Sequence, residues 1–118
     1  MLVDDEESVL SASSEMLEAM GFSVITAMDG RSGIQKYHEN RESIVCVILD
    51  LTMPHMDGKQ CFQELFRINP GVKVIMSSGF NQQEITQTFQ EPGISGFIQK
   101  PDSLAELRSK LRAVLDAA

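Results

Sequence analysis

The run Ile44-Val45-Cys46-Val47-Ile48-Leu49 is apolar at every position and stops on Asp50. A strand with one wet face alternates apolar and polar residues, so an unbroken apolar run describes a strand covered on both faces, as in the middle of a parallel sheet. No other segment restricts the fold as much. Parallel neighbours need crossover connections, and those place helices over the sheet.

The rest of the chain supplies strands and helices in alternation. Met1-Leu2-Val3 is a strand stub ending in Asp4-Asp5; Val9, Leu10, Met16, Leu17 and Met20 then recur at helical spacing until Gly21. Phe22 to Ala27 reads as a second strand, Asp29-Gly30 as a turn, and Ile34 with Tyr37 as the inward face of a short helix. After Asp50, Met53-Pro54 and Met56-Asp57-Gly58 form a turn-rich loop. A helix carrying Phe62, Leu65, Phe66 and Ile68 follows and closes at Asn69-Pro70-Gly71. Val72 to Met76 is a fourth strand. Ser77-Ser78-Gly79 leads into a Gln-rich helix with few apolar anchors, Ile85 and Phe89, ended by Pro92-Gly93. Ile94 to Gln99 is a fifth strand, and Ser103 with Glu106 has capping-box spacing before a final helix that buries Leu104, Leu107, Leu111, Val114 and Leu115. Right-handed crossovers between such units predict an α/β fold with a five-stranded parallel sheet in the flavodoxin-like order 2-1-3-4-5 and five helices on two faces.

Its 118 residues suit one domain, spanning 1–118, with a core that needs no disulfide or metal staple. A first strand of three residues would leave the centre of the sheet thin, so further residues are expected upstream of Met1. A formal charge of −7 disfavours nucleic acid and anionic membranes as partners and favours proteins. Cys46 and Cys61 lack the spacing of a metal knuckle or redox pair and read as reduced packing residues. With no spanning apolar stretch and no signal-peptide pattern, the expected location is the cytoplasm.

Four polar signals sit at the downstream ends of strands: Asp4-Asp5, Asp50, Ser78 and Lys100-Pro101. Strand ends of one polarity open on one edge of a parallel sheet, and the reversal of strand order puts Asp4-Asp5 and Asp50 on either side of the switch point where ligands bind. Carboxylates, a hydroxyl and an ammonium gathered there suit a divalent cation and a phosphoryl group better than they suit packing.

These residues resemble the receiver domain of two-component response regulators. Leu2-Val3-Asp4-Asp5-Glu6, Leu49-Asp50-Leu51-Thr52-Met53-Pro54-His55-Met56-Asp57-Gly58, Met76-Ser77-Ser78-Gly79 and Lys100-Pro101 match that family's signatures in order and spacing. Asp-Asp or Lys-Pro alone is a weak signal; four elements at four strand ends are a specific one. Ser78-Gly79 followed by Phe80 is similar to receivers fused to hybrid sensor histidine kinases.

The resemblance implies that Asp50 accepts a phosphoryl group from the phosphohistidine of a histidine kinase or histidine phosphotransfer domain, and that a downstream protein partner reads the result. It implies Mg²⁺ held by Asp5, Asp50 and the Thr52 carbonyl, with Asp4 acting through water. Lys100 would neutralise charge, and a cis bond to Pro101 would aim it inward. Ser78 would be the switch hydroxyl, coupled to Phe97 in place of the tyrosine often found there. Thr52 and Phe80 fall where receivers tune loss of the phosphoryl group, and bulky Phe80, unable to orient water, implies slow self-dephosphorylation.

Simpler readings exist for each residue. Asp4-Asp5-Glu6 alone would fit an acid cluster favoured by a helix dipole. Ser78 could cap the following helix, Lys100 could be solvated, and Phe97 could simply pack. Convergence on one crevice is what weighs against them. His38 and His55 have no support as phosphorylated or metal-binding residues, and the scattered methionines suit gap-filling.

Three rival functions compete with a phosphoacceptor module. A phosphohydrolase working through an aspartyl phosphate generally carries a second aspartate two residues after the nucleophile, and Thr52 stands there. A flavodoxin needs a hydroxyl-rich phosphate loop after the first strand, where this chain has carboxylates. A pseudo-receiver that binds partners without phosphorylation would not need the full set of groups.

Overall fold

The computed structural model describes residues 1–50, 58–78, 94–99 and 104–116. Ser78 and Phe97 are placed by their backbone alone. In chain order the elements are β1 (Leu2–Val3), α1 (Glu7–Ala19), β2 (Thr26–Ala27), α2 (Gly30–Asn40), β3 (Val47–Asp50), α3 (Gly58–Ile68), β4 (Val74–Ser78), β5 (Ile94–Gln99) and α4 (Leu104–Asp116). All pairs are parallel and the order is β2-β1-β3-β4-β5, as the sequence predicts. The predicted Gln-rich helix lies outside the described residues.

The apolar run that ends at Asp50 supplies the central strand. β3 lies between β1 and β4, with Val47 and Leu49 fully buried. Alternate residues of the strands feed two cores. On one face Val3, Leu49 and Met76 meet Tyr37 of α2 and Phe62 and Leu65 of α3. On the other, Leu2, Ile75 and Ile98 meet Leu10 and Leu17 of α1 and Leu107, Leu111 and Val114 of α4.

Two strands are shorter than predicted by more than one residue. Regular β2 covers only Thr26–Ala27, because it is an edge strand whose sole partner, β1, contributes only Leu2 and Val3 to the pairing. Phe22 and Val24 still pack on the α1/α4 core. β3 likewise begins at Val47, upstream of which Val45 is 59 % exposed. Phe66 also departs from its predicted inward position: it is 39 % exposed and packs obliquely on buried Phe62, with ring centroids 5.9 Å apart.

Local chemistry explains the helix ends. α1 stops at Gly21, whose φ of 95° is the left-handed conformation glycine adopts without strain. There the Gly21 amide donates to the Glu18 carbonyl at 3.0 Å and the Phe22 amide to the Leu17 carbonyl at 3.1 Å. Asp29 caps α2 by accepting from the Ser32 amide at 2.7 Å. Lys73 donates through Nζ to the Val114 carbonyl at 3.1 Å, a cation at the negative end of α4. Asn69 donates to the buried Tyr37 hydroxyl at 3.0 Å, fixing the turn after α3 against α2.

Both cysteines are free and buried, as expected of packing residues. Burial pushes the Cys46 thiol up to about 11 and the Cys61 thiol up to about 12. Neither is a nucleophile at neutral pH.

Candidate phosphoacceptor and metal site

The site forms where β1 and β3 end side by side. The chain leaves β1 towards β2 on one side and returns as β3 on the other, so a crevice opens between their carboxyl ends. Asp4 follows β1 directly, and its amide donates to the Ala27 carbonyl at 3.1 Å. Its Oδ1 accepts from the Glu6 amide at 2.9 Å, which turns the chain from strand into α1 and fixes the carboxylate. Asp50 is the last residue of β3.

Asp4 is 5 % exposed and Asp50 3 %, while Asp5 is more open to solvent. One carboxylate oxygen from each of the three lies within 4.8 Å of the others. Burying carboxylates costs free energy unless cations or hydrogen bonds compensate, so this grouping is poor packing and good cation chemistry. Oxygens on opposite sides of a Mg²⁺ ion stand about 4.2 Å apart, so a small closure, or one water in place of a direct bond, fits the trio to such an ion.

Asp50 and Ser77 are register partners, and Ser77 in turn pairs with Ile98. Ser78 ends β4 beside Gln99, the residue before Lys100; Phe97 pairs with Met76 on β5. Thr52, Phe80, Lys100 and Pro101 lie outside the described residues. Ser77 carries no site role in the sequence analysis, which reads it only as part of the lead into the Gln-rich helix. It is 7 % exposed, and strand alternation would have put it on the same face as Asp50 once the register was known.

A five-stranded parallel sheet in this order, with an acidic crevice at its switch point, defines an α/β domain of flavodoxin-like class. The family model described as "Response regulator receiver domain" matches residues 1–112, and the chain belongs to that family. It is 34% identical over 115 residues to the probable transcriptional regulator ycf27 of Guillardia theta, covering 98% of this chain and 44% of that protein. Sensor kinase CckA of Brucella abortus is 28% identical over 116 residues, covering 98% of this chain and 12% of the kinase. The chain thus spans less than half the length of both relatives. Among solved structures, the CheX-CheY-BeF3-Mg²⁺ complex from Borrelia burgdorferi matches at 30% identity with a TM-score of 0.87, covering 96% of this chain and 85% of that one. The function at this level is that of a receiver domain in two-component signalling. No helix among the described residues is long and apolar enough to cross a membrane.

Proposed function

We propose that Asp50 is the phosphoacceptor of this receiver. The observation that carries the reading is the meeting of Asp4, Asp5 and Asp50 at the switch point, with Asp4 and Asp50 buried. An Asp50 carboxylate oxygen attacks the phosphorus of a phosphohistidine. The P–N bond breaks, its electron pair leaves on the imidazole nitrogen, and that nitrogen takes a proton from solvent. The product is an acyl phosphate on Asp50.

Asp5, Asp50 and the Thr52 carbonyl would hold Mg²⁺, with Asp4 acting on it through water. When bound, the ion would supply positive charge against the repulsion between carboxylate and phosphoryl group. The related Borrelia protein, solved with BeF3 and Mg²⁺, supports the same chemistry here. Lys100 pairs with Asp50 at rest and with a phosphoryl oxygen afterwards. Ser78 then donates to the phosphoryl group and draws its loop inward, and Phe97 follows to alter the surface a partner reads. The donor is a histidine kinase or histidine phosphotransfer domain, in keeping with the likeness to a sensor kinase. Residues 1–118 act as one cytoplasmic receiver domain that catalyses its own phosphorylation and dephosphorylation.

Incubation with acetyl phosphate and Mg²⁺ followed by intact-mass measurement tests the reading. One added phosphoryl group on the wild type and none on Asp50→Ala is the expected result; undiminished addition to Asp50→Ala overturns it. Phe80 is expected to make the acyl phosphate long-lived. A half-life of seconds that Phe80→Glu fails to shorten would refute that part alone.

A further inference from the structure

Ser77 has no role in the chemistry above, yet it stands in the same row as the acidic groups. It is in register with Asp50, and register partners in parallel strands project to the same face. Asp4 continues the row, because Val3 before it pairs with Leu49 before Asp50. Below this row lies a cavity of about 20 Å³, lined by Asp4, Asp50, Ser77, Ser13 of α1, Leu10 and Leu107. A cavity needs roughly 10–15 Å³ and two to four polar partners to hold one water. This one meets both conditions.

The lining groups have the hydrogen-bonding chemistry that one water can satisfy. Ionised carboxylates only accept hydrogen bonds, and serine hydroxyls donate. A water donating to Asp4 and Asp50 while accepting from Ser13 and Ser77 uses both of its protons and both of its lone pairs.

We propose that Ser77 and Ser13 hold one ordered water against the inner side of Asp50, which makes Ser77 a positioning residue for the phosphoacceptor carboxylate. The proposal rests on the assignment of Asp50 given above. The water restrains one carboxylate oxygen so that the other faces the incoming phosphorus. It also ties α1 to β4 through the site.

Threonine and valine at position 77 separate hydroxyl from shape, since the two side chains are nearly isosteric. Phosphoryl uptake from acetyl phosphate is measured at saturating Mg²⁺ for wild type, Ser77→Thr and Ser77→Val, with the donor varied to separate maximal rate from half-saturation. Valine is expected to lower the maximal rate roughly three- to tenfold with half-saturation unchanged, and threonine to stay near wild type. Equal rates for valine and threonine, whether both normal or both slow, overturn the proposal. A high-resolution crystal structure gives a readout independent of phosphorylation. One water within hydrogen-bond distance of the Ser13 and Ser77 hydroxyls supports the inference even if the wild type takes up no phosphoryl group, an outcome that would sink the Asp50 assignment instead. A dry cavity overturns it.

Discussion

Two rows of the same sheet face, two residues apart, are buried alike and built from opposite chemistry. Leu2 and Ile75, at 3 % and 0 % exposed, flank Ile48 and pack on α1 and α4; one step towards the carboxyl edge, Asp4, Asp50 and Ser77 are 5 %, 3 % and 7 % exposed. Burial stabilises the first row, at about 1.5–3 kcal/mol for a large aliphatic side chain. In the second it opposes folding unless hydrogen bonds and cations compensate. The inner row supplies stability, and the outer row draws on it to hold charges in place.

The largest expected effect breaks the comparison at its outer row. Asp50→Ala is expected to lose phosphoryl uptake completely while remaining folded by circular dichroism, whereas Ile75→Ala is expected to keep uptake and lose about 2–5 kcal/mol in urea unfolding. Equal damage to both properties in both variants would erase the distinction between the rows.

Next in size are the two neighbouring rings of α3. Phe62→Ala, from 2 % exposure, is expected to cost about 3–5 kcal/mol. Phe66→Ala, from 39 % exposure, should cost under about 1 kcal/mol by the same denaturant measurement, and equal costs would contradict the observed packing.

A smaller effect concerns the ion. Mg²⁺ at a hundred times its dissociation constant is expected to stabilise the wild type by about 2.7 kcal/mol, and chelation to reverse this, as read from thermal unfolding. Asp5→Asn should lose most of the Mg²⁺ response and, without the ion, match or exceed the wild type by up to roughly 1 kcal/mol as carboxylate repulsion is relieved. A full Mg²⁺ response in that variant would remove Asp5 from the ligand set.

A last effect lies in the two cores, where the thiols are buried. Desolvation holds the Cys46 and Cys61 thiols at about 11 and about 12, above the ordinary thiol value of about 8.5. Between those limits the unfolded chain releases protons that the folded chain keeps, so stability is intact below about pH 8.5 and falls as pH rises towards 11. The urea midpoint should therefore drop between pH 8 and 10.5 more in the wild type than in a Cys46→Ala, Cys61→Ala double variant. Equal drops would show that the thiols are not the cause.

Much of this was legible in the chain. Ile44 to Leu49 announced a doubly covered strand, Gly21 the end of a helix, and the strand-end carboxylates a crevice, because burial period and turn chemistry are local properties. Other features were not. The shortness of β2 depends on how much of β1 exists to pair with it, and the exposure of Phe66 on where α3 meets its neighbours.

Ser77 shows most clearly where the boundary falls. The sequence by itself determined the parallel α/β class, the strand order and the three aspartates, since residue type and spacing carry that information. Only the tertiary structure decided that Ser77 and Ser13, from a strand and a helix far apart in the chain, share a cavity with Asp4 and Asp50. Register between strands and the seating of a helix on a sheet are set by long-range packing, and no local pattern encodes them.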